Sequence, residues 1–225
     1  GFTERCGLTA YDFLEVHRTL FEGLYPWAGK DRAEVLADSA IKKGTLYFCH
    51  PRDCRLAVSE GLFLAQDKKL MNQRPGFIMG MFAYGHPFFD GNGRTMLLVH
   101  AELCFRANMS VNWMRTSKQQ YLDALTKEIE TPNDGHLDTY LKPFIEPQIP
   151  RESWLQSVSA IPGLDGIDAQ SDVSAGYIAT LRSQGNIRSS SAAALISWTT
   201  NARVDQLTPQ SLSKIGKIAN AWHLR

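Results

Sequence analysis

The sequence predicts an all-α fold: a core of about six helices, one short β-hairpin and a small helical appendage at the C-terminus. Three observations carry this. Met96 to Phe105 is apolar except for His100 and Glu102, and a helix that is apolar on nearly every face is a buried one. Phe13, His17, Leu20, Phe21 and Leu24 recur at the spacing of a single helix face. The β-prone stretch, Gly44-Thr45-Leu46-Tyr47-Phe48, is five residues long, enough for a hairpin but not for a sheet-based core.

Taken in order, Thr9 to Leu24 is expected to be a helix. Thr9 caps it, Asp12 completes a capping box, and Leu8 and Phe13 are spaced for a hydrophobic staple. Tyr25 before Pro26 ends it, because the residue before proline is pushed out of the helical region. Asp53 to Leu70 reads as an amphipathic helix with Leu56, Leu62, Phe63 and Leu64 inward and Lys68-Lys69 at the cation-favouring end. Pro75 to Tyr84 reads as a helix begun by proline and stopped by Gly85, with Gly80 and Met81 at a close helix contact. Asn108 ends the central helix. Thr116 or Ser117 caps the next, which runs to Glu130 with Tyr121, Leu122 and Leu125 inward. Thr131 to Gly135 is a turn, and His136 to Ile145 is the last helix of the core. Pro147, Pro150, Pro162 and Gly163 then mark a boundary from Glu146 to Ser171. The expected division is a core unit over 1–146 and a linker with helical pieces over 147–225, at about Asp172–Ser183, Ser190–Thr200 and Pro209–Ala221.

The stretch with chemistry is Gly85-His86-Pro87-Phe88-Phe89-Asp90-Gly91-Asn92-Gly93-Arg94. It reads as a loop on the positive end of the buried helix. Gly91 and Gly93 permit positive φ and expose N–H groups. Free N–H groups and the helix dipole together favour an anion, phosphate above all. A base (His86), a carboxylate (Asp90), an amide (Asn92) and a guanidinium (Arg94) surround it. Singly, each has an ordinary structural explanation. Together they are the parts of phosphoryl or nucleotidyl transfer: a base for the attacking hydroxyl, a hard oxygen for Mg²⁺, and donors for phosphate charge.

His86-Pro-Phe-x-Asp90-Gly-Asn-Gly-Arg94 resembles the HPFx(D/E)GNGR motif of Fic-domain proteins, unbroken over its nine positions. His17-Arg18-x-Leu20-Phe21 and the Tyr25-x-Trp27-Ala28-Gly29-Lys30 run resemble that family's opening helix, and the likeness extends over Thr9 to Ile145. The resemblance implies AMP transfer from ATP to a Ser, Thr or Tyr hydroxyl of a target protein. His86 would be the base and Asp90 would hold Mg²⁺. Gly91, Asn92 and Gly93 would form the anion hole, and Arg94 would grip the phosphates. The hairpin would be the family's flap, in which Thr45, Leu46 and Tyr47 hold the target by strand addition. The family's second arginine is Leu97 here, which leaves the γ-phosphate contact open and admits UTP, GTP or a CDP-alcohol as donor. The family's inhibitory (S/T)xxxE(G/N) pattern has no match, since Leu56 precedes Glu60-Gly61 and Arg18 precedes Glu22-Gly23. Inhibition is therefore expected to be absent or to come from an antitoxin-like protein in trans.

Composition narrows the alternatives. The 225 residues are 44% hydrophobic and carry a formal net charge of +1. Residues 151–225 hold seven Lys/Arg against five Asp/Glu, so three tail helices acting as a DNA reader lack a basic footprint. A nucleotide-sensing DNA regulator and a nucleotide-binding module without turnover stay open as other classes. No apolar run approaches the ~20 residues of a membrane span, and no signal-peptide pattern opens the sequence. Of Cys6, Cys49, Cys54 and Cys104, Cys104 reads as a core residue, and Cys49-His50-x-x-x-Cys54 lacks the second ligand pair of a zinc site. Reduced thiols and a cytoplasmic home are expected, including a host cytosol if the chain is a delivered bacterial effector. The sequence opens on Gly1 rather than Met, which leaves open what precedes it.

Overall fold

A computed structural model describes residues 7–37 and 41–161. Cys6 and the three expected tail helices lie outside the described residues. The described chain is helical, with two small two-stranded antiparallel sheets. Helix α1 (Ala10–Phe21) begins at the expected capping box: the Thr9 N–H donates to Asp12 Oδ2 at 2.9 Å, and the Asp12 N–H to Thr9 Oγ1 at 3.4 Å. It stops a turn before Tyr25, because Glu22 is extended and Gly23 is left-handed at φ 85°. A short α2 (Arg32–Leu36) is capped by Asp31, whose carboxylate accepts from the Glu34 N–H.

The hairpin is β1 (Lys42–Lys43) against β2 (Leu46–Tyr47), with Lys43 opposite Leu46 and Gly44 turning at φ 60°. The helix expected over Asp53 to Leu70 is two, α3 (Cys54–Leu64) and α4 (Lys68–Gln73). The break falls where the Asp67 carboxylate caps Lys69 and Leu70, a better use of a short acid than a helix interior. This break also corrects the inward face. Cys54, Val58 and Leu62 are buried, whereas Leu56 and Phe63 point to solvent.

The core is built on α5 (Pro75–Gly85) and α6 (Asn92–Arg106). Helix α5 packs against α3 on one side and against α7 (Lys118–Glu130) and α8 (His136–Leu141) on the other, while α1 lies on α6. Gly80 permits the contact of α5 with α7: a Cβ there would stand 2.8 Å from Glu128 Cγ. Ser117 caps α7 as expected.

The last expected core helix ends early. Pro143 cannot supply the N–H that an α-helix needs, so residues 142–144 tighten into a 3₁₀ turn. Ile145–Pro147 then becomes a strand, β4, paired with β3 (Met109–Val111). Of the proline-marked stretch, the structure describes the part up to residue 161, and that part carries a helix. Pro150 opens a helix, α9 (Arg151–Ser159), and Trp154, Val158 and Ile161 are buried in the same core as α6. Among the described residues, no helix is long and apolar enough to cross a membrane.

Candidate active site

The loop between α5 and α6 begins with a residue in an unusual conformation. Sequence reasoning assigned the helix stop to Gly85, but the left-handed residue is His86, at φ 39° and ψ 57°. Gly85 is still helical, and glycine is needed there for space: a Cβ would stand 3.2 Å from the Cys54 carbonyl oxygen and 3.3 Å from the Ala57 and Val58 side chains. Left-handed backbone costs a residue with a side chain about 1–2 kcal/mol. The surroundings hold it. The buried Arg32 side chain donates from Nε to the His86 carbonyl at 2.6 Å and from Nη2 to the carbonyls of Cys49 at 2.9 Å and Gly85 at 3.3 Å. The Arg32 N–H donates to the Pro87 carbonyl at 2.7 Å.

The imidazole of His86 lies against the flap. Phe48, the residue after β2, stacks on it with ring centroids 3.9 Å apart and 24° between planes. Burial pushes the His86 imidazole down to about 3, the Arg32 and Lys43 charges push the same way, and a hydrogen bond to the Ala83 backbone opposes them. The ring is therefore neutral at physiological pH, the form a proton acceptor needs, but it is a weaker base than its unperturbed value of about 6.5 would make it. Of the expected flap residues, Thr45 and Tyr47 are exposed and Leu46 is half-buried. Phe48 is the one that meets the histidine, and sequence reasoning gave it no role. Its signal was an aromatic residue at the end of a β-prone run.

The other end of the loop is held by α1 and the turn after it. His17 is fully buried between rings, stacked on Phe88 at 3.6 Å and Trp27 at 5.6 Å. Its Nδ1 accepts the Gly29 N–H at 2.9 Å, so its Nε2 is the protonated nitrogen and donates to the Asp90 carbonyl at 3.1 Å. The Tyr25 hydroxyl donates to Asp90 Oδ2, and the Gly91 N–H donates to Oδ1 at 2.6 Å. Burial, with the Asp90 carboxylate next, raises the Tyr25 phenol well above its ordinary range, so it remains a donor. Each Asp90 oxygen keeps a lone pair, and the residue is half-buried rather than sealed. One hard carboxylate of this kind, completed by phosphate oxygens and water, suits Mg²⁺.

Gly91 is left-handed at φ 78°, as expected. Gly93 is not: it lies in the first turn of α6, exposed, with open space where a Cβ would be. The N–H groups of Asn92, Gly93 and Arg94 lack intrahelical acceptors, as at every helix start. The Asn92 side chain is committed to the loop. Its Oδ1 accepts the Phe88 N–H at 3.0 Å and its Nδ2 donates to the Phe88 carbonyl at 2.7 Å, so only its main chain is available to an anion. Arg94 lies over the Phe21 ring at 4.6 Å and is half-buried. Thus His86, Asp90, the α6 N-terminus and Arg94 share one short loop, with Phe21, His17 and Phe88 as its floor.

Residues 7–104, which contain this loop, match the model of the Fic/DOC family. They belong to that family. The chain is 32% identical over 114 residues to "Protein adenylyltransferase VbhT" of Bartonella schoenbuchensis, an alignment covering 47% of this chain and 23% of that one. It is 26% identical over 121 residues to "Probable protein adenylyltransferase y4lH" of Sinorhizobium fredii, covering 50% and 60%. The alignments thus span less than two thirds of either relative. Among solved structures, the fold is shared with the BepC protein of Bartonella tribocorum, a VirB-translocated effector crystallised with AMPPNP (TM-score 0.54, 16% identity, 64% of this chain and 77% of that one). It is shared also with the N-terminal FIC domain of Bep8 from Bartonella sp. 1-1C (TM-score 0.53, 13% identity, 64% and 75%).

The tightest spot in the Fic/DOC loop yields a prediction. An alanine Cβ at Gly91 would stand 2.5 Å from Phe21 Cε2 and 3.1 Å from His17 Nε2, at a φ that alanine resists. Gly91→Ala is expected to cost about 2–4 kcal/mol, the left-handed penalty plus the clash, read from urea unfolding. Gly93→Ala, with open space and helical backbone, is expected to leave stability unchanged or raise it by under about 1 kcal/mol.

Proposed function

We propose that this chain is a protein adenylyltransferase, moving AMP from ATP to a Ser, Thr or Tyr hydroxyl of a target protein. One observation carries the reading: an unbroken HPFxDGNGR motif sets a neutral imidazole at one end of a loop and the free N–H groups of a long helix at the other. The names of the two curated relatives and the AMPPNP in BepC support it.

In the reaction the target oxygen attacks the α-phosphorus while His86 takes its proton. The O–Pα bond forms, the bond to the bridging oxygen breaks, and pyrophosphate leaves. The N–H groups of Asn92, Gly93 and Arg94, with the Arg94 guanidinium, neutralise charge on the phosphates. Asp90 would hold Mg²⁺, which when bound supplies further charge neutralisation. The triphosphate also answers the low basicity of His86, because anionic charge nearby raises an imidazole's pKa. The flap, with Thr45, Leu46 and Tyr47, would hold an extended segment of the target. Partners are therefore a hydroxyl-bearing protein and, for control, an inhibitory protein in trans.

The test is label transfer. Incubated with a lysate and [α-³²P]ATP, the chain is expected to label protein, and His86→Ala is expected to lower the rate by about 10²–10⁴-fold, the usual worth of a general base. Equal labelling by the variant would remove His86 from the chemistry. Stronger labelling from UTP, GTP or a CDP-alcohol would replace ATP as donor. Leu97, half-buried against the core, offers a γ-phosphate no charge.

A further inference from the structure

We propose that Arg32 is a positioning residue for the transfer, a single buried guanidinium that fastens the flap and the turn at His86 to each other. The proposal rests on His86 acting as the base.

Arg32 is fully buried, yet the carboxylate beside it in sequence is directed elsewhere. Asp31 Oδ2 accepts from Arg55 Nε at 2.9 Å and its Oδ1 caps α2. Arg32 directs its Nε and Nη2 at main-chain carbonyls. Two of them, Gly85 and His86, are the last helical residue of α5 and the left-handed residue that follows; the third, Cys49, ends the flap. Its own N–H takes the Pro87 carbonyl, so both peptide units after His86 are held. The flap side is also closed: the Cys49 N–H donates to the Tyr84 carbonyl at 3.1 Å, and the Cys49 thiol to the Gly85 carbonyl at 3.2 Å. Phe48, next to Cys49, covers the His86 ring.

This arrangement has the character of a site device more than of a core contact. Burying a guanidinium costs it its hydration, and left-handed backbone at a histidine is costly too. Both costs meet at the one residue whose ring must be aimed. The fork's geometry is what does the aiming: a guanidinium can hold diverging carbonyls in one plane, and an ammonium cannot. The Tyr25-x-Trp27-Ala28-Gly29-Lys30 turn thereby gains a second purpose, since it delivers Arg32 as well as fixing His17.

The experiment uses the full chain and two variants, Arg32→Lys and Arg32→Gln, with three readouts: thermal unfolding, kcat and KM for ATP, and the His86 ring signals in NMR, assigned by their loss in His86→Asn. Displacing a reacting group by about 1 Å costs on the order of 100-fold, so kcat is expected to fall about that much in both variants. KM for ATP should stay within about twofold, because Arg32 does not face the phosphate cradle. Both variants should also lose the Phe48 ring-current shift at His86. Only Arg32→Gln, which removes a positive charge, should raise the pH at which His86 titrates. Unchanged His86 signals overturn the proposal, as does a kcat that falls only in step with the folded fraction. If the parent chain transfers no nucleotide, the functional reading fails while the ring signals still decide whether Arg32 aims His86. If Arg32→Gln does not fold, Arg32→Lys decides.

Discussion

Replacing Arg151 with alanine is expected to destabilise the described domain by about 3–5 kcal/mol, the cost of stranding a buried charge. The reason lies at Glu102, fully buried within α6. Arg151 grips its carboxylate with both ends of the fork, Nη1 to Oε2 at 2.6 Å and Nη2 to Oε1 at 3.0 Å, and Arg106 Nε adds a bond to Oε1 at 2.8 Å. The two arginines are 24% and 29% exposed in their side chains, whereas the carboxylate has no exposure at all. The asymmetry sets an order. Glu102→Ala frees two cations that can turn to water, and Arg151 keeps its stack on Phe105 at 3.6 Å, so that variant falls at the low end of the range. Arg151→Ala leaves the anion in place with one partner fewer. For a domain of this size the larger loss lowers Tm by about 10 °C. Urea unfolding of both variants and of the double variant checks it. Equal, small effects would mean the contact is a surface pair after all. A unit ending at residue 146 would keep Glu102 and lose this contact with Arg151.

That pair also shows where sequence reasoning stops. The burial of Met96 to Phe105 was legible because it needs only the apolar pattern. The partners of its two polar interruptions were not, because His100 answers to Pro75 and Glu102 to Arg151, positions whose nearness is a product of packing. The loop from His86 to Arg94 was legible as a unit, since its function depends on residue types at fixed short spacing. Its conformation was legible only in part. Glycine suggested where positive φ would fall and was right at Gly91. It was wrong about the stop at Gly85, because a distant arginine holds His86 in the left-handed region instead, and the freedom of Gly93 goes unused in the first turn of α6. Short-range chemistry located helix starts at Thr9 and Ser117, but it passed over the caps at Asp31 and Asp67, whose helices are only five and six residues long. It missed β3 and β4, since three-residue strands distant in sequence carry too little pattern to be seen before they pair.

Stability is expected to fall steeply as the pH drops below about 6.5, with the unfolding reaction taking up two to three protons, or about 3–4 kcal/mol per pH unit. Three histidines set this. Burial pushes His17 and His86 down to about 3 and His100 down to about 4. The first and last have no room for a second proton. The His17 Nδ1 already accepts the Gly29 N–H, and the His100 Nδ1, 3.5 Å from the Cys104 sulfur, sits against a thiol that burial keeps protonated. In the unfolded chain each histidine titrates near 6.5. Above that value neither state binds the protons and the stabilisation is whole. Below it the unfolded state gains them first, so stability is lost as pH falls toward the native values. Typical domains have about 5–15 kcal/mol to lose, so unfolding should come near pH 4–5, before the native histidines themselves charge. Between pH 6.5 and 5 the ordinary carboxylates, near 4, contribute little, and the slope of unfolding free energy against pH counts histidines directly. His100→Gln, whose amide can still donate to the Pro75 carbonyl, should reduce that slope by about one proton whatever it does to the absolute stability. A slope below one proton in the parent chain would mean that the rings are wet, and that the floor under the Asp90 loop is not the packed aromatic layer described above.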